Sequence, residues 1–465
     1  MLFSSITFLY YYLPLVILIY YIVPSRFKNL VLFSSSLIFY GWGEPKFVVI
    51  MILAIIAGYI FGRLIEFYQN TKLAKAFLIL SIITSIGILG YFKYTDFFIA
   101  NVNAIFKTSI PLLHIVLPIG VSFYLFQIMS YTIDVYRKTV PSQKSFVNFG
   151  AYVSSFPQLI AGPIVRYTDI AKQLEYREHS FDKTALGIER FVMGLSKKVL
   201  LANTLGELCN IFIASGDKSV LFYWLYAISF TLHIYFDFSG YSDMAIGLGK
   251  IFGFDFIENF NYPYISKTVT DFWRRWHISL GSWFRDYVYI PLGGNRVSKS
   301  RWLFNILVVW FLTGFWHGAS WNFIIWGLYF ALFLIIEKLF FKKYLENFKF
   351  ISHIYLLLVV IIGFVIFNAP NMSEALTYIA SMFNLTDTPM ISNEFIYYFK
   401  SYALVIIMAI FFATPLAKQL YNKLLNSKFE SLVRIIAIVI MIILLLMTTA
   451  YLVDGSFNPF LYFRF

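Results

Sequence analysis

Apolar runs of bilayer length recur from one end of this chain to the other, and no soluble core could absorb them. About 30 Å of hydrocarbon takes about 17–25 helical residues to cross. Runs of that kind fall near 6–24, 46–65, 76–92, 112–134, 187–213, 219–238, 302–317, 320–337, 351–369, 396–417 and 433–453, and a shorter one near 29–42 makes twelve. The bulk numbers agree, with 60% of 465 residues hydrophobic and 13% charged, against about 45–50% and about 25% in soluble domains. This excludes a disordered chain, a collagen, a coiled coil and a disulfide scaffold, since Cys209 is the only cysteine. The expected fold is an all-α polytopic membrane protein of 11–12 spans, one membrane domain over 1–465. Within it, 1–134 reads as N-terminal helices, 146–337 as the catalytic core and 338–465 as C-terminal helices with a tail.

A net charge of +13 would suggest nucleic acid in a soluble protein. Here the positive charges gather in alternate connections, among them Arg26 and Lys28, Arg63 to Lys75, Arg137 to Lys144, Lys338 to Lys349 and Lys418 to Arg434. The loops between are nearly bare, and 368–394 holds Glu374, Asp387 and Glu394 with no Lys or Arg. The positive-inside rule then places the basic connections in the cytosol and both termini outside. Met1 to Ser5 lacks a basic n-region, so the first span reads as an anchor rather than a cleaved signal. Nucleic acid is not needed to explain the charge.

The middle of the chain is polar in the wrong places for lipid. Polar residues and irregular backbone survive at membrane depth only when buried in protein or lining a wet cavity. Phe156-Pro157-Gln158-Leu159-Ile160-Ala161-Gly162-Pro163 therefore reads as re-entrant, its prolines breaking a helix. Phe238-Ser239-Gly240-Tyr241-Ser242-Asp243 reads as a second such stretch. Neither an internal repeat nor an inverted pair of broken segments is present, which argues against a transporter or channel for a small anion.

Between Phe254 and Arg301, Trp and Arg interleave: Asp271-Phe272-Trp273-Arg274-Arg275-Trp276-His277, then Trp283-Phe284-Arg285-Asp286-Tyr287 and on to Arg296. Such a segment suits the inner interface, with rings at headgroup level. Simple lipid anchoring would explain it. So would reception of a phosphorylated cytosolic donor by Arg274, Arg275, Arg285 and Arg296, whose planar forks match phosphate. Next comes Thr313-Gly314-Phe315-Trp316-His317-Gly318-Ala319-Ser320-Trp321-Asn322, a tight turn between two spans. A histidine there, flanked by glycines and far from any acid before Glu337, reads as lining a cavity rather than as a satisfied core residue. His233 and Asp237 share a helical face and read as a structural pair, and Asp243 nearby is a minor site candidate.

Taken together, Ser155 to Ile164, Asp237 to Gly247, Asp271 to Arg296 and Phe315 to Trp321 resemble the membrane-bound O-acyltransferase family. The likeness is to its bacterial branch around the alginate O-acetyltransferase membrane subunit and the peptidoglycan O-acetyltransferases, and it spans about 146–337. It implies helices around a tunnel in the bacterial plasma membrane, with the donor arriving from the cytosol and the acceptor from outside. The family's signature histidine maps onto His317 and its loop histidine onto His277. The chemistry implied is transfer of an acyl group, most simply acetyl, from acetyl-CoA or another thioester such as one on an acyl carrier protein, with no bound cofactor or metal. His317 would deprotonate the acceptor hydroxyl, while Asn322, His277 or a backbone N–H steadies the oxyanion.

The ending Phe460-Leu461-Tyr462-Phe463-Arg464-Phe465 reads as an interfacial aromatic tail. It also resembles the tails of the polysaccharide and peptidoglycan acetyltransferase members, and of a small companion protein in teichoic-acid D-alanylation, in which system a tail tyrosine is implicated as an acyl relay. By that likeness Tyr462 passes the group to an extracytoplasmic SGNH-type partner and so to a polysaccharide hydroxyl. D-alanyl transfer, or transfer to lipid or protein, is the alternative within the family.

Overall fold

The computed structural model of the chain describes residues 2–160 and 162–455. Every regular element among them is a helix, as lipid demands of a chain that must satisfy its own backbone. Among the described residues, seven helices are long and apolar enough to cross a membrane: Val48–Phe67, Lys72–Phe106, Val220–Ile251, Trp321–Phe341, Lys349–Asn368, Asn393–Phe412 and Glu430–Val453. The chain divides into two compact units, Met1–Phe191 with Ser242–Ile257, and Val192–Tyr241 with Glu258–Phe465.

The first unit packs α1 (Val48–Phe67) against α2 (Val121–Tyr136) and α3 (Phe146–Ser154). Tyr131 of α2 is fully buried, with its ring 4.7 Å from Phe149 and 5.0 Å from Tyr167. The expected span over 112–134 is shorter than its apolar run, because helix begins only at Val121. Pro118 lies just upstream, and Gly120 takes a left-handed φ of 73° that reverses the chain into α2. After α3 the backbone breaks at Ser155, and Phe156–Leu159 forms one short buried turn with Pro157 at its start. Its irregular backbone is satisfied from within: Ser36 accepts from the Phe156 N–H at 3.0 Å, and Gln158 donates to the Tyr152 carbonyl at 2.8 Å. Phe3, Phe8, Tyr12 and Phe39 surround the Phe156 ring at 5.5 to 6.5 Å.

α4 (Phe181–Ser196) and α5 (Val220–Ile251) run through the polar middle of the sequence. The stretch 238–243, expected to be irregular, lies inside the continuous helix α5. Its polar residues are accommodated by helix packing instead of by a break. A Cβ at Gly240 would lie 2.8 Å from the Gly194 carbonyl oxygen, so the two backbones touch there. His233 Nδ1 is 2.6 Å from the Ala202 carbonyl, and buried Asp237 pairs with buried Lys198.

In the second unit, α6 (Val269–Arg275) and α7 (Ile278–Phe284) precede the hairpin of α8 (Lys299–His317) and α9 (Trp321–Ile336), which packs on α10 (Lys349–Asn368). The hairpin closes backbone to backbone. A Cβ at Gly327 would sit 2.2 Å from the Trp310 carbonyl oxygen, and one at Gly314 would sit 2.3 Å from that of Phe323. Overpacking of this kind costs about 1–3 kcal/mol where side chains can yield, and backbone yields less. Gly327→Ala should therefore lower the melting temperature of the detergent-purified protein markedly. Gly87→Ala, at a helical glycine with open space around it, should leave it unchanged or raise it slightly. Equal behaviour of the two variants would contradict this packing.

Candidate active site

Three local devices build the site in the second unit. The first is the start of α6, where the Thr268 side chain accepts from the Asp271 N–H at 3.0 Å. The Glu337 carboxylate, reaching from beyond the end of α9, accepts from the N–H groups of Val269 and Thr270 and from the Thr270 hydroxyl at 3.0 Å. A carboxylate on free N–H groups at a helix start is favoured by hydrogen bonding and by the helix dipole. This ties α6 to the hairpin and sets Trp273 against Trp310, Trp326 and Phe330, with ring centroids 4.8 to 5.6 Å apart.

The second device is the turn between α6 and α7. His277 occupies it with a left-handed φ of 45°, an uncommon conformation for a residue with a Cβ. Asn259, fully buried, holds the turn from outside it. Its carbonyl accepts from the Ile278 N–H at 3.0 Å. Its side-chain Oδ1 accepts from the Ser279 N–H at 3.2 Å and the Ser279 hydroxyl at 2.9 Å, and lies 3.1 Å from His277 Nδ1. The imidazole packs edge-on to Phe238 at 4.7 Å. Burial pushes the His277 imidazole down to about 3, so at neutral pH it is uncharged.

The third is the hairpin turn. His317 ends α8 and is buried, with the rings of Trp316 and Trp326 at 5.0 Å and Phe367 at 5.4 Å. The close contact at Gly314 and Gly327 fixes its depth. Asn322, two residues past Ser320, accepts from the Ser320 hydroxyl and donates to the Ala369 carbonyl at 3.0 Å, which pins the turn to the end of α10.

These devices surround one cavity of about 870 Å³, lined by both His277 and His317 and by Arg274, Arg285, Glu337 and Lys338. The structure thus brings together the two histidines and two of the four expected arginines. Arg274 is exposed at the cavity, and Arg285 forks onto Asp286 at 2.6 and 3.0 Å. Arg275 does not line it and pairs with Asp271 at 3.1 Å, while Arg296 is exposed elsewhere. Asn322 is likewise outside the lining, and Asp243 belongs to the first unit, where Arg190 donates to it at 2.7 and 2.9 Å. Tyr462 lies outside the described residues. Lys338, over the Trp302 ring at 4.1 Å, and Trp273 join the lining without having been picked out from sequence. Among the described residues no cluster of His, Cys, Asp and Glu could hold a metal.

Removing the Glu337 acceptor orphans buried donors at the start of α6, each worth about 1–3 kcal/mol. Glu337→Leu should destabilise the protein by about 2 kcal/mol or more in thermal unfolding, and Glu337→Gln by less. Comparable losses in both variants would place the stabilisation in the charge rather than in the capping geometry.

Residues 135–381 match the family described as MBOAT, membrane-bound O-acyltransferase family. Over its full length and that of the relative, the chain is 38% identical to the probable alginate O-acetylase AlgI of Azotobacter vinelandii. It is 42% identical to the probable alginate O-acetylase AlgI of Pseudomonas aeruginosa, over 83% of this chain and 75% of the relative. To the peptidoglycan O-acetyltransferase of Helicobacter pylori it is 33% identical, over 83% of this chain and 80% of the relative.

Proposed function

The chain belongs to the membrane-bound O-acyltransferase family and is a membrane acyltransferase, and from that premise we propose that it moves an acetyl group from a cytosolic thioester to hydroxyls of an extracytoplasmic polysaccharide. The observation that supports this best is the shared cavity, which joins two histidines to Arg274, Arg285 and Lys338. Cations and imidazoles along one space suit a donor with phosphates at one end and a thioester at the other.

In the proposed reaction the donor is acetyl-CoA or an acyl carrier protein, bound through its phosphates by Arg274, Arg285 and Lys338. His317 takes the proton of the acceptor hydroxyl as the oxygen adds to the thioester carbonyl, a step that needs the base within about 2.6–3.2 Å of that hydroxyl. The tetrahedral intermediate collapses with cleavage of the C–S bond, and the leaving thiolate receives the proton back from His317. Tyr462 is the first acceptor in this scheme, its phenolic oxygen carrying the acetyl ester until an SGNH-type partner transfers it to the polymer. The scheme sets the protein in a bacterial plasma membrane with both termini outside. The names of the relatives, for alginate and peptidoglycan O-acetylation, favour acetate as the group and a polysaccharide as the destination.

One assay with two variants tests this reading. Purified protein with labelled acetyl-CoA, and cells scored for polymer-bound acetate, should both lose activity in His317→Ala by at least about 10²-fold. Tyr462→Phe should remain folded while polymer acetylation is lost. Normal transfer by His317→Ala would remove His317 as the base. Full polymer acetylation by Tyr462→Phe would remove the relay, and D-alanine in place of acetate on the polymer would redirect the acyl group.

A further inference from the structure

His277 and Trp273, both in the cavity lining, each carry a polar atom that the described residues leave unmatched. His277 Nε2 and Trp273 Nε1 are both buried, neither has a hydrogen-bond partner among the described residues, and both residues line the cavity. A buried polar atom without a partner is costly, and at a cavity wall it marks where a ligand's polar group belongs.

Which role His277 Nε2 plays depends on its protonation, and its neighbours decide that. The backbone N–H of Ser279 can only donate, so the Asn259 atom 3.2 Å from it must be the oxygen. That same oxygen lies 3.1 Å from His277 Nδ1. Two lone pairs at that distance would repel, so Nδ1 carries the proton. The Ser279 hydroxyl is no rival partner for Nδ1, since it sits 3.4 Å away while donating to Asn259 Oδ1 at 2.9 Å. Turning the Asn259 amide over would set its NH₂ against the Ser279 N–H and orphan the start of α7. Neutral His277 is therefore the Nδ1–H tautomer, with an unprotonated Nε2 that accepts and cannot donate. This removes His277 as the stabiliser of an oxyanion.

We propose that Asn259 is a positioning residue that locks His277 in the Nδ1–H tautomer, so that Nε2, with the Trp273 indole N–H, receives an amide group of the thioester donor. An amide supplies an N–H for Nε2 and a C=O for the indole, and the pantetheine arm shared by CoA and acyl carrier proteins carries such amides. A hydroxyl of the acceptor could also donate to Nε2 and accept from the indole N–H, but Arg274, Arg285 and Lys338 in the same lining suit the phosphates of a thioester donor. The proposal rests on the acyl-transfer reading above for its choice of ligand.

The test uses the full-length protein labelled with ¹⁵N-histidine, with the His277 ring signals assigned by their loss in His277→Gln. Wild type should show a protonated Nδ1 and an unprotonated Nε2, and CoA alone, used as the probe, should move the Nε2 signal toward its hydrogen-bonded position. Asn259→Asp, which keeps the acceptor oxygen, should retain the tautomer and most of the activity. Asn259→Leu should lose the fixed tautomer and about tenfold in kcat/KM for acetyl-CoA, the scale of one hydrogen bond, with the loss in KM. An Nε2–H tautomer in wild type would overturn the proposal, as would an Nε2 signal unmoved by saturating CoA. So would a folded Asn259→Leu with the wild-type KM for acetyl-CoA. If CoA moves Nε2 but the wild-type protein transfers no acyl group, the functional reading fails and the positioning role stands.

Discussion

Backbone contact between α8 and α9 at Gly314 and Gly327 is the constraint on which the rest of the site depends. In lipid, helices gain little from burying apolar side chains against one another, so close backbone approach and hydrogen bonds carry more of the association. Only glycine permits this approach. It places His317 at the closed end of a hairpin, among Trp316, Trp326 and Phe367, where a polar ring would otherwise be expensive.

The remaining polar groups of this unit act as ties between segments far apart in sequence. Glu337 caps α6 from beyond the far end of the hairpin, Asn322 joins the His317 turn to the end of α10, and Asn259 holds the left-handed turn at His277. Each tie uses a side chain that would be costly if left alone in an apolar surrounding. Their joint effect is a cavity whose wall is mostly apolar and whose polar atoms come from fixed positions. That is the arrangement a preorganised transfer site needs.

Much of this was legible in the sequence. The helical class followed from the apolar runs, His317 from a turn too polar for lipid, and His277 from the family resemblance. What the sequence hid was partnership. The run 238–243 looked like a break, because Ser, Gly and Asp are poor helix interiors in isolation, yet Gly240 serves helix contact and α5 continues through it. Arg190 and Lys198 looked like an ordinary amphipathic flank but are the partners of Asp243 and Asp237. Four equivalent arginines were expected at the donor, but Arg275 and Arg296 do not line the cavity, and Arg275 turns instead to Asp271 at i, i+4, a pairing its spacing already permitted. Asn259 gave no local signal at all, since its role exists only where the chain returns to it at His277.

The central claim is that a single space holds the donor's phosphates and its reacting carbonyl in reach of the two histidines. An experimental structure of the full-length protein with CoA bound tests this directly. Phosphates should lie against Arg274, Arg285 and Lys338, an amide of the pantetheine arm at His277 Nε2, and the sulfur toward His317. CoA bound elsewhere, with this cavity empty or filled by lipid, would contradict it.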